Sequence, residues 1–136
     1  MTTSAVTIHR AVLEEIARHA RAALPLECCG LLLGASAAVV ESVRTRNAAT
    51  DPNRFVIHPT DHINGRRDAR TRGLDVVGFY HSHPRSAADP SVTDRAEASY
   101  PDHLYLIVGL ASDPPEWRLF RFSGIDFVAL SFVAGQ

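Results

Sequence analysis

The chain has 136 residues, of which 46% are hydrophobic and 21% are charged, and its formal net charge is -1. This length suits one domain with its own core, so we predict that residues 1–136 form a single domain. The composition excludes a disordered chain, and the near-neutral charge argues against nucleic acid or a membrane as a partner.

The first third of the chain predicts one helix and a pair of strands. Apolar residues recur at helical spacing over residues 9–23, and Pro25 is expected to end that helix. The apolar run over residues 28–34 is short and lies between chain-breaking residues, which favours a buried strand. Residues 39–45 are expected to pair with it.

The remainder of the chain predicts two more helices and five more strands. Gly73 ends a polar, arginine-rich helix, and Ser91 begins a capped helix. The predicted helices cover residues 60–71 and 91–99, and the predicted strands cover residues 55–57, 74–81, 104–110, 116–122 and 126–132. Helices interspersed among about seven strands indicate an α/β or α+β fold.

The cysteines and the N-terminal residues bear on the compartment. Cys28 and Cys29 are adjacent, and adjacent cysteines rarely bridge each other. We expect both to be free thiols in the core, as in proteins of the reducing cytoplasm. Residues 1–10 lack the basic start and apolar run of a signal peptide, and the longest uncharged stretch, residues 28–40, is too short to span a membrane.

The chemistry of the chain is expected where the strand runs into His81-Ser82-His83-Pro84. Side chains alternate along a strand, so His81 and His83 point to one face and can reach the same ion, whereas Ser82 points the other way. A catalytic zinc has three protein ligands and one open position, and the carboxylate of Asp94 is the candidate third ligand. An HxH pair alone is weak evidence for a metal site.

Three residues have a structural as well as a functional interpretation. Ser91 and Asp94 fit the S-x-x-D capping box of a helix start, which would give Asp94 a structural role only. Glu27 stands at the entry to an apolar strand, where a carboxylate needs a partner or a function, although it can also be a surface residue at the end of a loop. The remaining histidines are expected to lie on the surface or to be satisfied locally: His9, His19, His58, His62 and His103.

Together these residues closely resemble the motif of the JAMM (MPN-plus) metalloproteases. That motif has an upstream Glu and then H-[ST]-H-P, with seven residues between the second His and a Ser and two more residues before an Asp. It is satisfied by Glu27, His81, His83, Ser91 and Asp94. The resemblance extends over nearly the whole chain and implies an α/β (α+β), cytidine-deaminase-like fold, with a mixed, mostly antiparallel sheet flanked by helices. The chain lacks the insertions of eukaryotic deubiquitinating members and therefore resembles a small prokaryotic stand-alone member.

The resemblance also implies a role for each motif residue. His81, His83 and Asp94 would bind one Zn²⁺ per chain. Glu27 would act as general base toward the attacking water and then as general acid toward the leaving amine. Ser91 would donate a hydrogen bond to the developing oxyanion, or would only cap its helix.

The implied reaction is hydrolysis of the peptide or isopeptide bond after a C-terminal Gly-Gly. The implied partner is a small ubiquitin-like or sulfur-carrier protein that carries this tail. Lys, Cys or a short peptide would each be a suitable adduct on the tail, and the sequence does not discriminate among them. The oligomeric state is not readable from the sequence either.

Other zinc and binding classes fit the residues less well. A zinc deaminase needs H-x-E followed by P-C-x-x-C, which is absent, and a metallo-β-lactamase-like hydrolase needs H-x-H-x-D-H, for which Asp89 is out of position. A nuclease-associated protein with the same motif is opposed by the near-neutral charge. The main alternative is a non-catalytic scaffold or binding module, like family members that have lost the metal site, although this chain keeps all five motif residues.

Overall fold

The computed structural model of the protein describes residues 5–35 and 37–136. None of its described helices has the length and apolar character that crossing a membrane requires. The elements in chain order are β1 (Val6–His9), α1 (Arg10–Ala23), β2 (Cys29–Ala35), β3 (Ala38–Thr45), α2 (Pro59–Thr71), β4 (Asp75–His83), α3 (Val92–Glu97), β5 (Leu104–Gly109), β6 (Glu116–Phe122), β7 (Phe127–Leu130) and β8 (Phe132–Gly135).

In the described part of the chain, the eight strands form one sheet in the order β7-β6-β5-β4-β2-β3-β1-β8. Neighbours are antiparallel in the pairs β2–β3, β2–β4, β5–β6 and β6–β7, and parallel in β1–β3, β1–β8 and β4–β5. The predicted α+β fold, with a mixed and mostly antiparallel sheet flanked by helices, is confirmed.

Helices α1 and α2 cover opposite faces of the sheet. The apolar stripe of α1, with Val12, Ile16 and Ala20, packs in one core cluster with Leu32 and Tyr80. On the other face, Ala69 of α2 packs with Leu31, Leu33 and Phe79, which are the chain neighbours of Leu32 and Tyr80. Successive strand residues point to opposite faces, so the sheet separates α1 from α2.

The predicted strand over residues 126–132 is wrong as a single element. It divides at Ser131 into β7, which pairs with β6, and β8, which pairs with β1. Strands β7 and β8 lie at the two opposite edges of the sheet, yet only one residue separates them along the chain. Since consecutive Cα atoms are about 3.8 Å apart, the ends of the sheet must curl toward each other and meet at Ser131.

The predicted strand over residues 55–57 is also wrong. Its one β contact is an isolated bridge between Ile57 and Asn47. The Asn47 side chain occupies backbone groups of this segment that a strand would pair with a neighbouring strand. Its Oδ1 accepts from the Val56 N–H at 2.9 Å, and its Nδ2 donates to the Arg54 carbonyl at 3.1 Å. The loop that results, residues 46–58, holds Phe55 against the end of β4.

Candidate active site

The end of β4 places two imidazoles side by side. The Nε2 atoms of His81 and His83 are 3.2 Å apart, and both side chains are buried. Ser82 points the other way and links β4 to the chain before β2: its Oγ accepts from the Cys28 N–H at 2.9 Å, and its own N–H donates to the Cys28 carbonyl at 3.1 Å. The alternation expected along this strand therefore brings the two histidines together.

Asp94 reaches this pair from the first turn of α3. Its Oδ2 lies 3.1 Å from Nε2 of His81 and 3.0 Å from Nε2 of His83. The same residue completes the predicted capping box, since Ser91 Oγ accepts from the Asp94 N–H and Asp94 Oδ2 accepts from the Ser91 N–H, both at 2.9 Å. The structural and functional interpretations of Asp94 hold at once, because the cap positions the carboxylate that faces the histidines.

The three donor atoms have the spacing of a metal site. One ligand atom from each of His81, His83 and Asp94 lies within 4.8 Å of the others. In a tetrahedral zinc site with bonds of about 2.0–2.1 Å, neighbouring donors are roughly 3.3 Å apart. The separations of 3.0–3.2 Å between these atoms are close to that value.

The tautomer of His83 also suits a cation. Its Nδ1 lies 2.7 Å from the Ala87 carbonyl, which can only accept, so the proton is on Nδ1. In the neutral ring the Nε2 lone pair then faces the carboxylate oxygen of Asp94, an unfavourable arrangement unless a proton or a metal ion lies between them. The donor set and this backbone contact, which orients the ring, therefore fit Zn²⁺.

The electrostatics of the cluster point the same way. Burial alone would raise the pKa of Asp94, but the contacts with His81 and His83 outweigh it and hold that pKa well below its usual value. Burial disfavours the charged form of His83, yet Asp94 and the Ala87 carbonyl outweigh burial and raise the pKa of this histidine. Burial lowers the pKa of His81. Asp94 and His83 thus favour a positive charge between them, whereas His81 favours the neutral form in which an imidazole binds a metal ion; a proton and a metal ion would compete for this position.

Glu27 lies beside this cluster without joining it. It precedes β2, whose Cys29 is paired with His81, and its carbonyl accepts from Asn47 Nδ2 at 3.1 Å. Its side chain is buried, and its Oε1 is enclosed without a hydrogen-bond partner among the described residues. Burial, followed by the charge of Asp94, raises the pKa of Glu27 to about 7. A buried carboxylate with a free oxygen is suited to accept a proton from a bound water.

Ser91 has an exposed side chain at the start of α3. Its Oγ acts as an acceptor in the helix cap, which leaves the hydroxyl proton available for a second partner. The geometry therefore allows both interpretations of this residue, the cap and the hydrogen-bond donor.

A cleft of about 210 Å³ opens next to His81 and Asp94. The ring of Phe55 stacks on His81, with centroids 4.2 Å apart and an angle of 19° between the planes. The wall consists of Phe55, Val56, Ile57, His62, Phe79, His81, Asp94, Glu97, Ala98, Ser99, Tyr100, Tyr105 and Phe127. Phe55 and His62 were not predicted as site residues. The one signal in the sequence is Asn47, whose side chain holds the loop of residues 46–58 that returns to the site.

The predictions for the remaining histidines and the cysteines agree with the contacts that the structure shows. His62 is satisfied locally, since its Nε2 accepts from Arg66 Nε at 2.8 Å, and it also forms part of the cleft wall, which was not predicted. Three others have local partners: the Tyr80 hydroxyl for His19, the Thr60 N–H for His58 and the Pro101 carbonyl for His103. Cys28 and Cys29 are free and buried, as predicted, and burial raises their pKa values to about 11 and about 12, which makes both thiols poor nucleophiles.

Comparison with known proteins places this geometry in a family. The model of prokaryotic homologs of the JAB domain matches residues 9–123. A desampylase of Haloferax volcanii is 37% identical over 140 residues, which cover 96% of this chain and 97% of that protein. A CysO-cysteine peptidase of Mycobacterium tuberculosis is 28% identical over 127 residues, which cover 92% of this chain and 86% of the relative.

Solved structures agree with this fold. A protein of Desulfitobacterium hafniense, determined in solution, superposes with a TM-score of 0.89 at 30% identity and covers 96% of this chain and 93% of its own. A JAB1/MPN domain protein of Archaeoglobus fulgidus superposes with a TM-score of 0.63 at 24% identity, covering 96% of this chain and 99% of its own. The second likeness bears on the fold alone.

Proposed function

The chain belongs to the prokaryotic JAB (JAMM) family of zinc metallopeptidases, and from that membership we propose that it cleaves the bond after the C-terminal Gly-Gly of a small ubiquitin-like or sulfur-carrier protein. The observation that carries the proposal is the combination of a three-donor cluster with a separate, buried carboxylate. His81, His83 and Asp94 converge, and Oε1 of Glu27, which has no hydrogen-bond partner in the described part of the chain, lies outside their group. A scaffold protein has no need of that second carboxylate.

The residues divide the reaction between them. His81, His83 and Asp94 would hold one Zn²⁺ per chain. When bound, the ion would supply Lewis-acid chemistry, polarising the scissile carbonyl and lowering the pKa of the attacking water. Glu27 takes the proton of that water and passes it to the leaving nitrogen. Ser91 donates a hydrogen bond from its hydroxyl group to the oxyanion, which lowers the barrier by about 3 kcal/mol.

The proposed substrates follow the names of the relatives. One relative is a desampylase and another a CysO-cysteine peptidase, which supports a protein tail with a Lys, Cys or peptide adduct. We further propose that neither nucleic acid nor a membrane is a partner, since the net charge is -1. Two free buried thiols support the proposed cytoplasmic location. The match of the family model to residues 9–123 supports one domain over residues 1–136.

Metal analysis of a ligand variant tests this proposal. The protein should bind one zinc per chain, and His83→Ala should lose most of the metal together with all activity on a fusion cut after Gly-Gly, because two donors hold zinc weakly. His58→Ala, which removes a histidine outside the cluster, is the matched control and should keep both. Stoichiometric zinc in the doubly substituted His81→Ala, His83→Ala protein would place the site elsewhere.

Activity distinguishes the enzyme from the alternative scaffold. A non-catalytic module with the same fold would bind a Gly-Gly-tailed protein and leave it intact even when loaded with zinc. The presence of all five motif residues favours the enzyme.

A further inference from the structure

One polar side chain in the cleft has no part in the reaction just described. His62, in the first turn of α2, forms part of the same wall as His81 and Asp94. Its ring meets Phe79 and Tyr100 edge-on, at centroid distances of 5.4 Å and 5.3 Å. It is therefore a hydrogen-bonding group in a mainly aromatic cleft.

Arg66 determines where His62 carries its proton. Nε of Arg66 donates to Nε2 of His62 at 2.8 Å, and because a guanidinium can only donate, the proton of the neutral ring is on Nδ1. Arg66 is itself held by His103, whose Nε2 is 3.3 Å from Nη2, and by the Tyr100 ring, 5.3 Å from its guanidinium carbon. Burial and the charges of Arg66 and His103 lower the pKa of His62, which favours the neutral ring.

The Nδ1–H group of His62 is left available for a ligand. It has no hydrogen-bond acceptor among the described residues, and the one enclosed side-chain oxygen or nitrogen without a partner there is Glu27 Oε1. Nδ1 of His62 is therefore not fully enclosed, and the residue forms part of the cleft wall. A ring N–H group in a mainly aromatic wall can recognise a hydrogen-bond acceptor on the molecule that fills the cleft.

The position of Glu27 indicates which part of the substrate reaches His62. Glu27 must be close to the leaving nitrogen, since it delivers the proton there. The wall of the cleft includes His81 and Asp94 but, among the described residues, neither Glu27 nor His83. The leaving group thus lies toward Glu27, and the acyl side of the substrate, the tail that ends in Gly-Gly, extends into the cleft.

We propose that His62 is a specificity-determining residue whose Nδ1–H donates to a main-chain carbonyl of the substrate tail, upstream of the Gly-Gly, with Arg66 as its positioning residue. This inference rests on the proposed function. A carbonyl is present in every tail, so His62 favours an extended, ordered tail over a bare diglycine. The aromatic rings around it add apolar contact with the same segment.

Three variants separate the donor from the shape of the ring. In Asn the side-chain nitrogen is as many bonds from Cα as Nδ1 of histidine, whereas in Gln it matches Nε2. His62→Asn should therefore retain a donor for the tail, although it loses the Nε2 acceptor through which Arg66 positions the ring. His62→Gln and His62→Phe should lose it, although Phe preserves the packing on Phe79 and Tyr100.

The experiment measures kcat and KM on acetyl-Gly-Gly-Lys-amide and on the same peptide extended by one, two or three residues before the diglycine. With the longest peptide, His62→Phe and His62→Gln should raise KM about three- to ten-fold at nearly constant kcat, as expected for one neutral hydrogen bond. The increase should disappear for the shortest peptide, and with the longest peptide His62→Asn, which keeps the donor but not the acceptor for Arg66, should raise KM less than His62→Phe does. An equal penalty at every length would mean a merely structural role and would overturn the inference.

Binding of the product peptides, which end in a free Gly-Gly, supplies a second readout that needs no turnover. The wild type should bind the extended peptide more tightly than His62→Phe does, and both should bind the diglycine alike. Equal affinities of the two proteins for the extended peptide would also overturn the inference. Failure of the proposed function looks different, because a wild type that binds the peptides yet cleaves none of them refutes catalysis and leaves this tail contact standing.

Discussion

The carboxyl group of Glu27 is buried, has an oxygen without a partner among the described residues, and lies outside the three-donor group. Glu27→Gln preserves its size and removes its basicity. We expect this variant to keep its zinc and its melting temperature and to lose about 10²-fold or more in kcat, because the water no longer has a base. Zinc content, thermal unfolding and kcat measured on one preparation check this. Loss of zinc would identify Glu27 as a ligand instead.

The same carboxyl should determine the acid limb of the pH profile. Burial and Asp94 raise the pKa of Glu27 to about 7, and a nearby cation lowers it. A general base works only when ionised, so kcat/KM should be constant above this pKa and should fall as the pH drops through it, at or below about pH 7. The residual activity of Glu27→Gln should lack that limb.

Ser91 can be tested as donor and as cap separately. Ser91→Asp keeps an acceptor for the Asp94 N–H and has no proton to donate, whereas Ser91→Thr keeps both functions. If Ser91 stabilises the oxyanion, Ser91→Asp should lose about 10²-fold in kcat with little change in stability, and Ser91→Thr should stay close to the wild type. Wild-type kcat in Ser91→Asp would assign this residue to the helix cap alone.

At the level of residues, the convergence of His81, His83 and Asp94 was predictable and the cleft was not. Strand alternation is a local rule, so it was enough to place His81 and His83 on one face, and the S-x-x-D spacing predicted Asp94 in the first turn of a helix. Phe55 and His62 belong to no short motif. Their positions depend on how α2 and the loop before it pack on the sheet, which is a long-range property.

Helices and strands also differ in whether a local sequence pattern predicts them. Helix α1 follows a clear apolar period over fourteen residues, and its predicted and observed bounds differ by one residue. Strand β1 was missed because it has only four residues and runs directly into α1. The division of residues 126–132 at Ser131 reflects two partners at opposite ends of the sheet, which no local pattern indicates.

The contact between β4 and β5 makes a prediction about stability. A Cβ at Gly78 would lie 2.3 Å from the carbonyl oxygen of Leu104, a backbone atom of the paired strand that cannot move aside. Gly78→Ala should lower the free energy of unfolding by at least about 2 kcal/mol, within the range of overpacking. Gly73→Asn is the control, since nothing lies within 4 Å and Asn tolerates its positive φ of 72°. Denaturant unfolding of both variants measures the difference, and an unchanged Gly78→Ala would contradict this register.

At the scale of the whole molecule, the topology explains why the site is where it is. Strands β4 and β5 are parallel neighbours, so the chain must cross over between them, and α3 lies in that crossover. The histidines come from the carboxyl end of β4 and Asp94 from the start of α3. The sheet is curled, and its ends meet at Ser131. The crossover packs on one face of this sheet, and α1 packs on the other face.

One comparison of cleavage rates tests most directly whether this zinc peptidase recognises a Gly-Gly tail. The zinc-loaded protein is given a ubiquitin-like fusion with Gly-Gly before the scissile bond, the same fusion with Ala-Ala, and casein. Glycine lacks the Cβ that would clash where the backbone approaches the metal, so we predict cleavage after Gly-Gly, much slower cleavage of the Ala-Ala fusion and little degradation of casein. Equal rates on all three substrates, or an intact Gly-Gly fusion, would contradict the account.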